Sequence, residues 1–202
     1  MVGVADGLVL THGAGGSAEA PLLVALARLF EGRGLTVQRY DLPYRQARPK
    51  GPPRPQEAAR DRAGLREAVE AMRRRATGRL WLGGQSYGGR QASILAAGEA
   101  GLVDALLLLS YPLHPPGKSG ERRTAHFPEL RTPALFVHGS ADPFGTLDEV
   151  EAARALIPAR TQLLPLDGAG HDLFRMRAPS VAETIAAAFV DFTAKLGRAA
   201  TR

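Results

Sequence analysis

Cysteine is absent from all 202 residues of the sequence. Disulfide bonds, thiolate metal sites and a cysteine nucleophile are therefore excluded. Long apolar runs are also missing, because no stretch approaches the roughly 18 apolar residues that cross a bilayer. The N-terminus lacks the basic and apolar regions of a signal peptide. We therefore expect a soluble, cytoplasmic protein without a membrane partner.

Aromatic residues are scarce, at 6% of the chain, and basic residues exceed acidic ones by 26 to 20. A net charge of +6 is compatible with nucleic-acid binding. However, the basic residues are scattered, and none of their clusters is interleaved with aromatic residues, so we expect no nucleic-acid partner. The hydrophobic content of 45% suits a single globular domain over residues 1–202. The oligomeric state has no signature in the sequence.

Apolar runs alternate with helical patterns, which predicts successive βα units and a mainly parallel sheet. Helical patterns cover residues 18–31, 56–76, 87–99, 147–156 and 180–196. The six predicted strands are Gly7–Thr11, Leu35–Tyr40, Arg79–Gly84, Ala105–Ser110, Ala134–His138 and Thr161–Leu166. The predicted fold class is therefore α/β, with a doubly wound six-stranded sheet. In such sheets the functional residues gather on loops at the carboxyl ends of the strands.

Ser86 lies between paired glycines directly after the third predicted strand, in the stretch LWLGGQSYGGR. Gly84 to Gly88 fit the G-x-S-x-G pattern of a nucleophile elbow, in which small neighbours let a serine occupy a strained strand-to-helix turn. A shuffled chain of this composition contains the pattern with a probability of roughly 0.09. The residues at the other strand ends must therefore decide whether Ser86 is a nucleophile.

Two late loops carry the side chains that a nucleophilic serine needs. Asp142 follows the fifth predicted strand in FVHGSADPFG, and His171 follows the sixth in LDGAGHDLF. Serine, acid and histidine in this chain order match an α/β-hydrolase triad, in which the imidazole takes the serine proton and the carboxylate orients the imidazole. Asp167 and Asp172 are alternative acids, because both are near His171 in sequence.

The other four histidines are expected in supporting positions. His12 would support the glycine-rich turn after the first strand, and His138 would support the loop that carries Asp142. His114 and His126 lie in an irregular segment, 111–133, and are expected on the surface.

A glycine-rich turn, THGAGGSA, follows the first predicted strand and has two interpretations. Backbone N–H groups at Ala14 and Tyr87 could converge on a developing oxyanion. Alternatively, residues 13–18 fit the G-x-G-x-x-A form of a dinucleotide fingerprint, with Asp41 as the ribose acceptor. The second interpretation leaves Ser86 unexplained.

Five stretches together resemble a known family: LTHGAGG, GGQSYGGRQ, HPPGK, FVHGSADPFG and GAGHDLF. They resemble the small α/β-hydrolase-like family that includes subunit 3 of the nonspecific-lethal acetyltransferase complex and compact bacterial relatives, and more distantly the dienelactone hydrolases. The resemblance spans residues 7–195. It implies a six-stranded core and a triad of Ser86, Asp142 and His171. Dienelactone hydrolases have cysteine at the position of Ser86, so their substrate is not implied.

The leading interpretation is a serine hydrolase that cleaves a small carboxylic ester or related acyl bond through an acyl-enzyme, without metal or cofactor. A non-catalytic scaffold that binds a partner protein and a dinucleotide-binding enzyme are the alternatives. The proline- and glycine-rich segment 111–133 predicts that no lid domain is present and that the cleft is open and suits short acyl groups. A basic loop with Arg45, Arg48, Lys50 and Arg54 follows the second strand, and it is either solvated or steers anionic substrates.

Overall fold

The structure, a computed structural model, describes residues 5–173 and 178–197. These residues form one parallel sheet with the strand order β2-β1-β3-β4-β5-β6. The strands are β1 (Gly7–Thr11), β2 (Thr36–Tyr40), β3 (Leu80–Gln85), β4 (Ala105–Leu109), β5 (Ala134–Gly139) and β6 (Thr161–Leu166). Each strand lies within one residue of its predicted bounds, so the α/β prediction with a six-stranded sheet is confirmed.

Six α-helices are found in the described ranges, and five of them match predicted helical patterns. They are α1 (Pro21–Glu31), α2 (Pro43–Ala47), α3 (Ala58–Arg73), α4 (Tyr87–Gly98), α5 (Leu147–Arg154) and α6 (Ala178–Ala194). The sequence analysis predicts no helix at α2, because its five residues are too few to show helical periodicity. Within the described residues no helix is both long enough and apolar enough to span a bilayer.

The helices cover both faces of the sheet and bury its central strands. On one face, α1 and α6 pack against β1, β3, β4 and β5; on the other face lie α3, α4 and α5. The strand β4 has the sequence ALLLL and is buried along its whole length. Its side chains alternate between the two apolar clusters on either face of the sheet. Because both faces are buried, every residue of this central parallel strand is apolar.

The strand order fixes where a site can form. The chain passes from β1 outward to β2 and then returns to place β3 on the other side of β1. In a dinucleotide-binding sheet of the Rossmann type, β1 lies between β2 and β4. The observed order differs from that arrangement and places the topological switch point between β1 and β3. In open α/β sheets ligands bind at this point, outside the carboxyl ends of the strands. The glycine-rich turn and Ser86 both lie there.

The segment 111–133 contributes apolar side chains to the core. Its described secondary structure is one 3-10 turn, Phe127–Glu129, and no lid of packed helices is found in this part of the chain. Tyr111, Phe127 and Leu130 are each at most 1% exposed and pack on the α4 face of the sheet. The compact fold without a helical cap agrees with the sequence prediction.

The expectation of surface positions for His114 and His126 is wrong. His114 is 6% exposed, and its Nε2 lies 3.1 Å from the Glu149 carboxylate. His126 is half-buried, and its Nε2 lies 2.8 Å from the hydroxyl of buried Ser93. Both partners are about 30 residues away in sequence, so the irregular local pattern gave no sign of them.

Candidate active site

Ser86 occupies the turn between β3 and α4 with φ 50° and ψ −114°, a backbone conformation that non-glycine residues rarely adopt. Two of its glycine neighbours are required by close backbone contacts. A Cβ on Gly84 would lie 2.4 Å from the backbone nitrogen of Gly89, and a Cβ on Gly88 would lie 2.5 Å from the carbonyl oxygen of His12. The crowded glycines therefore let α4 approach both β3 and the end of β1, and this packing holds Ser86 in its strained conformation.

Three side chains from three loops form one hydrogen-bonded series. The Nε2 atom of His171 lies 2.8 Å from Ser86 Oγ. On the other side of the ring, Nδ1 lies 2.8 Å from Oδ2 and 3.0 Å from Oδ1 of Asp142. Since a carboxylate can only accept, Nδ1–H donates to Asp142, and Nε2 is left to accept the hydroxyl proton of Ser86. The arrangement can therefore move a proton from Ser86 to His171.

Several contacts hold the acid and the imidazole in place. The side chain of Asp142 is fully buried, and its Oδ1 accepts the backbone N–H of Phe144 at 2.9 Å. The Phe144 ring stacks on the His171 ring at 4.1 Å between centroids. His138 Nε2 lies 2.8 Å from the carbonyl oxygen of Gly145 and 3.7 Å from Asp142 Oδ2. Burial lowers the pKa of His138, so the neutral ring donates to Gly145 and supports this loop, as predicted.

The two alternative acids have other positions. Asp167 Oδ1 accepts a hydrogen bond from Ser140 Oγ at 3.2 Å, and Asp172 is exposed at the edge of the cleft. The oxygens within hydrogen-bond distance of His171 Nδ1 both belong to Asp142. The geometry therefore favours Asp142 as the partner of His171.

The glycine-rich turn lies directly against Ser86. A Cβ on Gly13 would be 3.4 Å from Ser86 Cβ, and Ala14 and Tyr87 line the same cleft as Ser86. Tyr87 is the first residue of α4, so its backbone N–H has no acceptor within the helix. The residues predicted to form an oxyanion hole are thus placed around the serine, on two separate chain segments.

Two buried rings hold the carbonyl groups of this turn. His12 Nε2 accepts the backbone N–H of Leu42 at 3.1 Å, and its Nδ1 lies 2.8 Å from the Gly13 carbonyl oxygen. Burial lowers the pKa of His12, which favours the neutral ring that donates from Nδ1. The hydroxyl of Tyr44 lies 2.9 Å from the Ala14 carbonyl oxygen. His12 therefore supports the turn, as the sequence predicts.

Arg45 is a structural part of the turn, and it was not identified as one from the sequence. The residue is 7% exposed, and its Nε donates to the Gly16 carbonyl oxygen at 2.7 Å. Its Nη2 lies 3.3 Å from the Ala14 carbonyl oxygen and 3.0 Å from that of Gly51. Arg48 pairs with Glu57 at 2.6 Å. Of the four basic residues in the loop that was expected to be either solvated or involved in steering, only Arg54 lines the cleft.

Two aspartates complete the support of the turn. Asp61 is fully buried on α3 and accepts the backbone N–H of Tyr44 at 3.0 Å and the hydroxyl of Tyr87 at 2.7 Å. Asp41 accepts the backbone N–H of Ala18 at 2.7 Å. The carboxylate that a dinucleotide site would use for a ribose hydroxyl is therefore engaged in fixing the turn.

The cleft above Ser86 has a volume of about 940 Å³, near the upper end of the usual range for ligand pockets. Residues 52–55, PPRP, form part of its lining. Ile94 and Pro112 add apolar surface, and Arg62, Arg90 and Arg123 add positive charge. Among residues 5–173 and 178–197, no group of three or more His, Asp or Glu side chains is placed to hold a metal ion.

A family model described as an α/β hydrolase domain matches residues 5–193 of the sequence. The chain belongs to this α/β-hydrolase family. The matched range contains all six strands of the sheet. It also contains the strained serine after β3, the acid after β5 and the histidine after β6.

Solved structures of similar fold are numerous, and three illustrate the range. TT1662 from Thermus thermophilus is 25% identical, with a TM-score of 0.68 over 95% of this chain and 90% of that chain. Est1E from Butyrivibrio proteoclasticus with bound ferulic acid is 17% identical, with a TM-score of 0.77 over 94% and 90%. Dienelactone hydrolase from Anabaena variabilis is 19% identical, with a TM-score of 0.73 over 96% and 88%. At these identities the similarity concerns the fold.

Proposed function

We propose that the protein is a serine hydrolase that cleaves a carboxylic ester or related acyl bond through an acyl-enzyme. The observation that carries the proposal is the continuous hydrogen-bonded series from Ser86 Oγ through His171 to the buried Asp142, with 2.8 Å at each link. Serine alone is a weak nucleophile at neutral pH, and this series supplies the base that activates it. The resemblance to the family of subunit 3 of the nonspecific-lethal complex agrees with the same three residues.

In the first half-reaction, Ser86 Oγ attacks the acyl carbon while its proton passes to His171 Nε2. The carbonyl oxygen gains negative charge, which the backbone N–H groups of Ala14 and Tyr87 stabilise. Asp142 stabilises the imidazolium that forms. His171 then gives its proton to the leaving alkoxide, and the alcohol departs from the acyl-enzyme.

In the second half-reaction, water enters the cleft and attacks the acyl carbon of the ester formed with Ser86. His171 takes the proton of this water and afterwards returns it to Ser86 Oγ. The carboxylic acid is released and the free enzyme is restored. The two half-reactions are thus carried out by the three side chains, the two backbone N–H groups and one water molecule. The names of two structural relatives, a dienelactone hydrolase and Est1E with bound ferulic acid, support acyl chemistry on this fold.

A fluorophosphonate probe tests the proposal directly. We expect the probe to label Ser86, located by peptide mass spectrometry, and Ser86→Ala to lose labelling while keeping its circular dichroism spectrum. Turnover of p-nitrophenyl acetate should fall by roughly 10⁵-fold or more in Ser86→Ala and nearly as much in His171→Ala. Ser119→Ala, which removes an exposed hydroxyl from the segment 111–133, is the matched control and should keep full labelling.

Two outcomes would contradict the proposal. A folded protein that neither reacts with the probe nor hydrolyses any ester would support a non-catalytic scaffold. Near wild-type turnover in Ser86→Ala would remove Ser86 as the nucleophile.

The choice of acid is tested separately: Asp142→Asn should lower kcat by roughly 10⁴-fold, because the imidazole loses its orienting charge. A larger loss in Asp172→Asn than in Asp142→Asn would move the acid to the edge of the cleft.

A further inference from the structure

Positive charge is concentrated in the cleft above Ser86. Four arginines are among its lining residues, against one carboxylate, Asp172, in the described part of the lining; they are Arg54, Arg62, Arg90 and Arg123. Arg62 has a neutral partner, since its Nη1 donates to Gln91 Oε1 at 2.8 Å. Arg90 and Arg123 lie on the wall that also holds Ile94 and Pro112, and their positive charge has to be neutralised by other groups.

In the described part of the chain, neither Arg90 nor Arg123 forms an ion pair with a carboxylate. Within the described ranges no carboxylate oxygen lies within 4.0 Å of either guanidinium, although many arginines elsewhere in the chain form such pairs. The Nε atom of Arg90 is buried and has no hydrogen-bond partner among these residues. Arg90 as a whole is half-buried, and only this nitrogen is shielded from water. A buried donor without a partner is costly, and the rare cases in native proteins call for an explanation.

The two guanidiniums also repel each other. Burial lowers the pKa of Arg123, and the positive charge of Arg90 lowers it further. The pKa of the neighbouring His126 is also lowered. Burial is the main cause, the charge of Arg90 adds to it, and the resulting pKa is about 4. His126 is therefore neutral at physiological pH, and it does not add a third positive charge. Tyr111 and Glu121 act on Arg123 in the opposite direction, but they raise its pKa by less than burial and Arg90 lower it.

Backbone hydrogen bonds fix the chain at both Arg90 and Arg123. Arg90 lies one helical turn after Ser86 on α4, and its backbone N–H donates to the Ser86 carbonyl oxygen at 2.9 Å. Arg123 is fixed through its backbone, because its N–H donates to Leu113 and its carbonyl oxygen accepts the Tyr111 hydroxyl, each at 2.8 Å. The backbone at both arginines is thus fixed by hydrogen bonds, and both side chains line the cleft that contains Ser86.

We propose that the substrate is an ester that carries a free carboxylate, and that Arg90 and Arg123 bind this carboxylate while Ser86 attacks the ester. This proposal rests on the proposed hydrolase function. Guanidinium groups match a carboxylate with paired N–H donors, and such charge-assisted bonds are stronger than neutral ones. A carboxylate carries a single charge, so its transfer to a wall that also holds Ile94 and Pro112 costs less desolvation than that of a phosphate dianion.

Pairs of isosteric esters test the proposal on each side of the scissile bond. On the acyl side, mono-p-nitrophenyl adipate is compared with p-nitrophenyl 6-methylheptanoate, in which an isopropyl group replaces the carboxylate. On the alcohol side, 4-acetoxybenzoate is compared with 4-isopropylphenyl acetate. The measured quantity is the ratio of kcat/KM for the anionic ester to that for its neutral isostere, after subtraction of background hydrolysis. Intrinsic reactivity cancels when this ratio is compared between variants.

In the double variant Arg90→Gln/Arg123→Gln we expect the ratio to fall roughly 10- to 100-fold on at least one side, because two charge-assisted hydrogen-bonding groups are lost. The kcat/KM for the neutral isostere should not fall, because an isopropyl group accepts no hydrogen bond from either guanidinium. Arg74→Gln is the control for net charge, since Arg74 is exposed at the far end of α3. It should leave the ratio unchanged. Should the double variant not fold, Arg123→Gln alone suffices, because the backbone hydrogen bonds of Arg123 do not need its side chain.

A binding measurement separates this proposal from the proposed hydrolase function. Calorimetry on Ser86→Ala, which cannot turn over, compares monomethyl adipate with dimethyl adipate. We expect Arg123→Gln in this background to weaken monomethyl adipate binding at least fivefold and to leave dimethyl adipate unaffected. This result would support the carboxylate subsite even if no ester were hydrolysed.

The outcomes that overturn the proposal are equally defined. In one outcome, the double variant keeps both kcat/KM ratios within twofold of the wild-type values. That result would show that the two arginines do not bind the carboxylate. Equal affinities of the two adipate esters for Ser86→Ala would show the same thing without turnover. Tighter binding of phenyl phosphate than of benzoate, lost in Arg123→Gln, would replace the carboxylate with a phosphate.

Discussion

Gly139 offers the sharpest structural test of how the acid and histidine loops are joined. It ends β5, three residues before Asp142, and the loop that leads to His171 crosses directly over it. A Cβ at Gly139 would lie 2.1 Å from the Ala169 carbonyl oxygen and 2.8 Å from that of Gly170. Both atoms belong to backbone that cannot rotate away. The substitution Gly139→Ala must therefore separate the two loops.

The size of the effect follows from these distances. The Ala169 carbonyl must move by more than about 1 Å to reach an ordinary contact. It cannot do so freely, because it accepts the backbone N–H of Ala141 at 2.9 Å. Overpacking of this kind costs about 1–3 kcal/mol, which lowers Tm by roughly 2–12 °C for a domain of this size. A displacement of about 1 Å at His171 should lower kcat/KM by roughly 100-fold.

The assay combines p-nitrophenyl acetate hydrolysis at 25 °C with thermal unfolding followed by circular dichroism. Gly170→Ala is a matched control in the same loop, since its Cβ would have only one neighbour within 4 Å, the Ala141 carbonyl oxygen at 3.9 Å. It should keep kcat/KM within a few-fold of wild type. The reasoning is refuted if Gly139→Ala retains both wild-type kcat/KM and wild-type Tm, or if Gly170→Ala is the more damaging substitution.

Three further predictions follow from the surroundings of the site. Arg45→Met should lower kcat equally for neutral and anionic esters, because Arg45 holds the Ala14 and Gly16 carbonyls; a loss confined to anionic esters would indicate steering instead. His114 has a raised pKa, chiefly from its hydrogen bond to the Pro115 carbonyl and then from Glu149. Its contribution is complete below the unfolded value of 6.5 and is lost as pH rises through the folded pKa. Urea unfolding should therefore show His114→Asn to be more destabilising at about pH 5.5 than at about pH 8.5, and an equal or opposite difference would contradict the assignment. For neutral p-nitrophenyl esters, kcat/KM should not rise from butyrate to octanoate, because a longer chain desolvates the cleft arginines; a steady rise by roughly 0.8 kcal/mol per methylene would reveal a fully apolar acyl site.

The sequence was sufficient to predict the parts of the molecule that local patterns determine. β4 is recognisable from its run of leucines, and Ser86 from the glycines that close packing requires. The hydrogen bonds that join Asp142, His171 and Ser86 could be anticipated because an α/β-hydrolase triad would place an acid and a histidine after late strands. These features depend on residue type and order along the chain, which the sequence displays.

The supporting residues could not be predicted in the same way. Arg45 binds backbone carbonyl groups about 30 residues away, and carbonyl groups leave no trace in residue type. Asp61 meets Tyr87 only after α3 and α4 have packed together. The unbalanced charge of Arg90 and Arg123 is likewise visible only when all neighbouring carboxylates have been placed. Such tertiary pairing is what a linear pattern lacks.

The strand order has a consequence for how activity is lost under stress. Ser86 follows β3, in the middle of the sheet, whereas His171 follows β6, an edge strand whose only strand neighbour in the described sheet is β5. Edge elements open locally at a lower free energy than a protein unfolds as a whole. Trp81, the single tryptophan, lies on β3 with 3% exposure and so reports on the central sheet. Ester hydrolysis should therefore disappear at lower urea concentrations than those that change tryptophan fluorescence, and coincident transitions would mean that β6 and the centre of the sheet unfold as one cooperative unit.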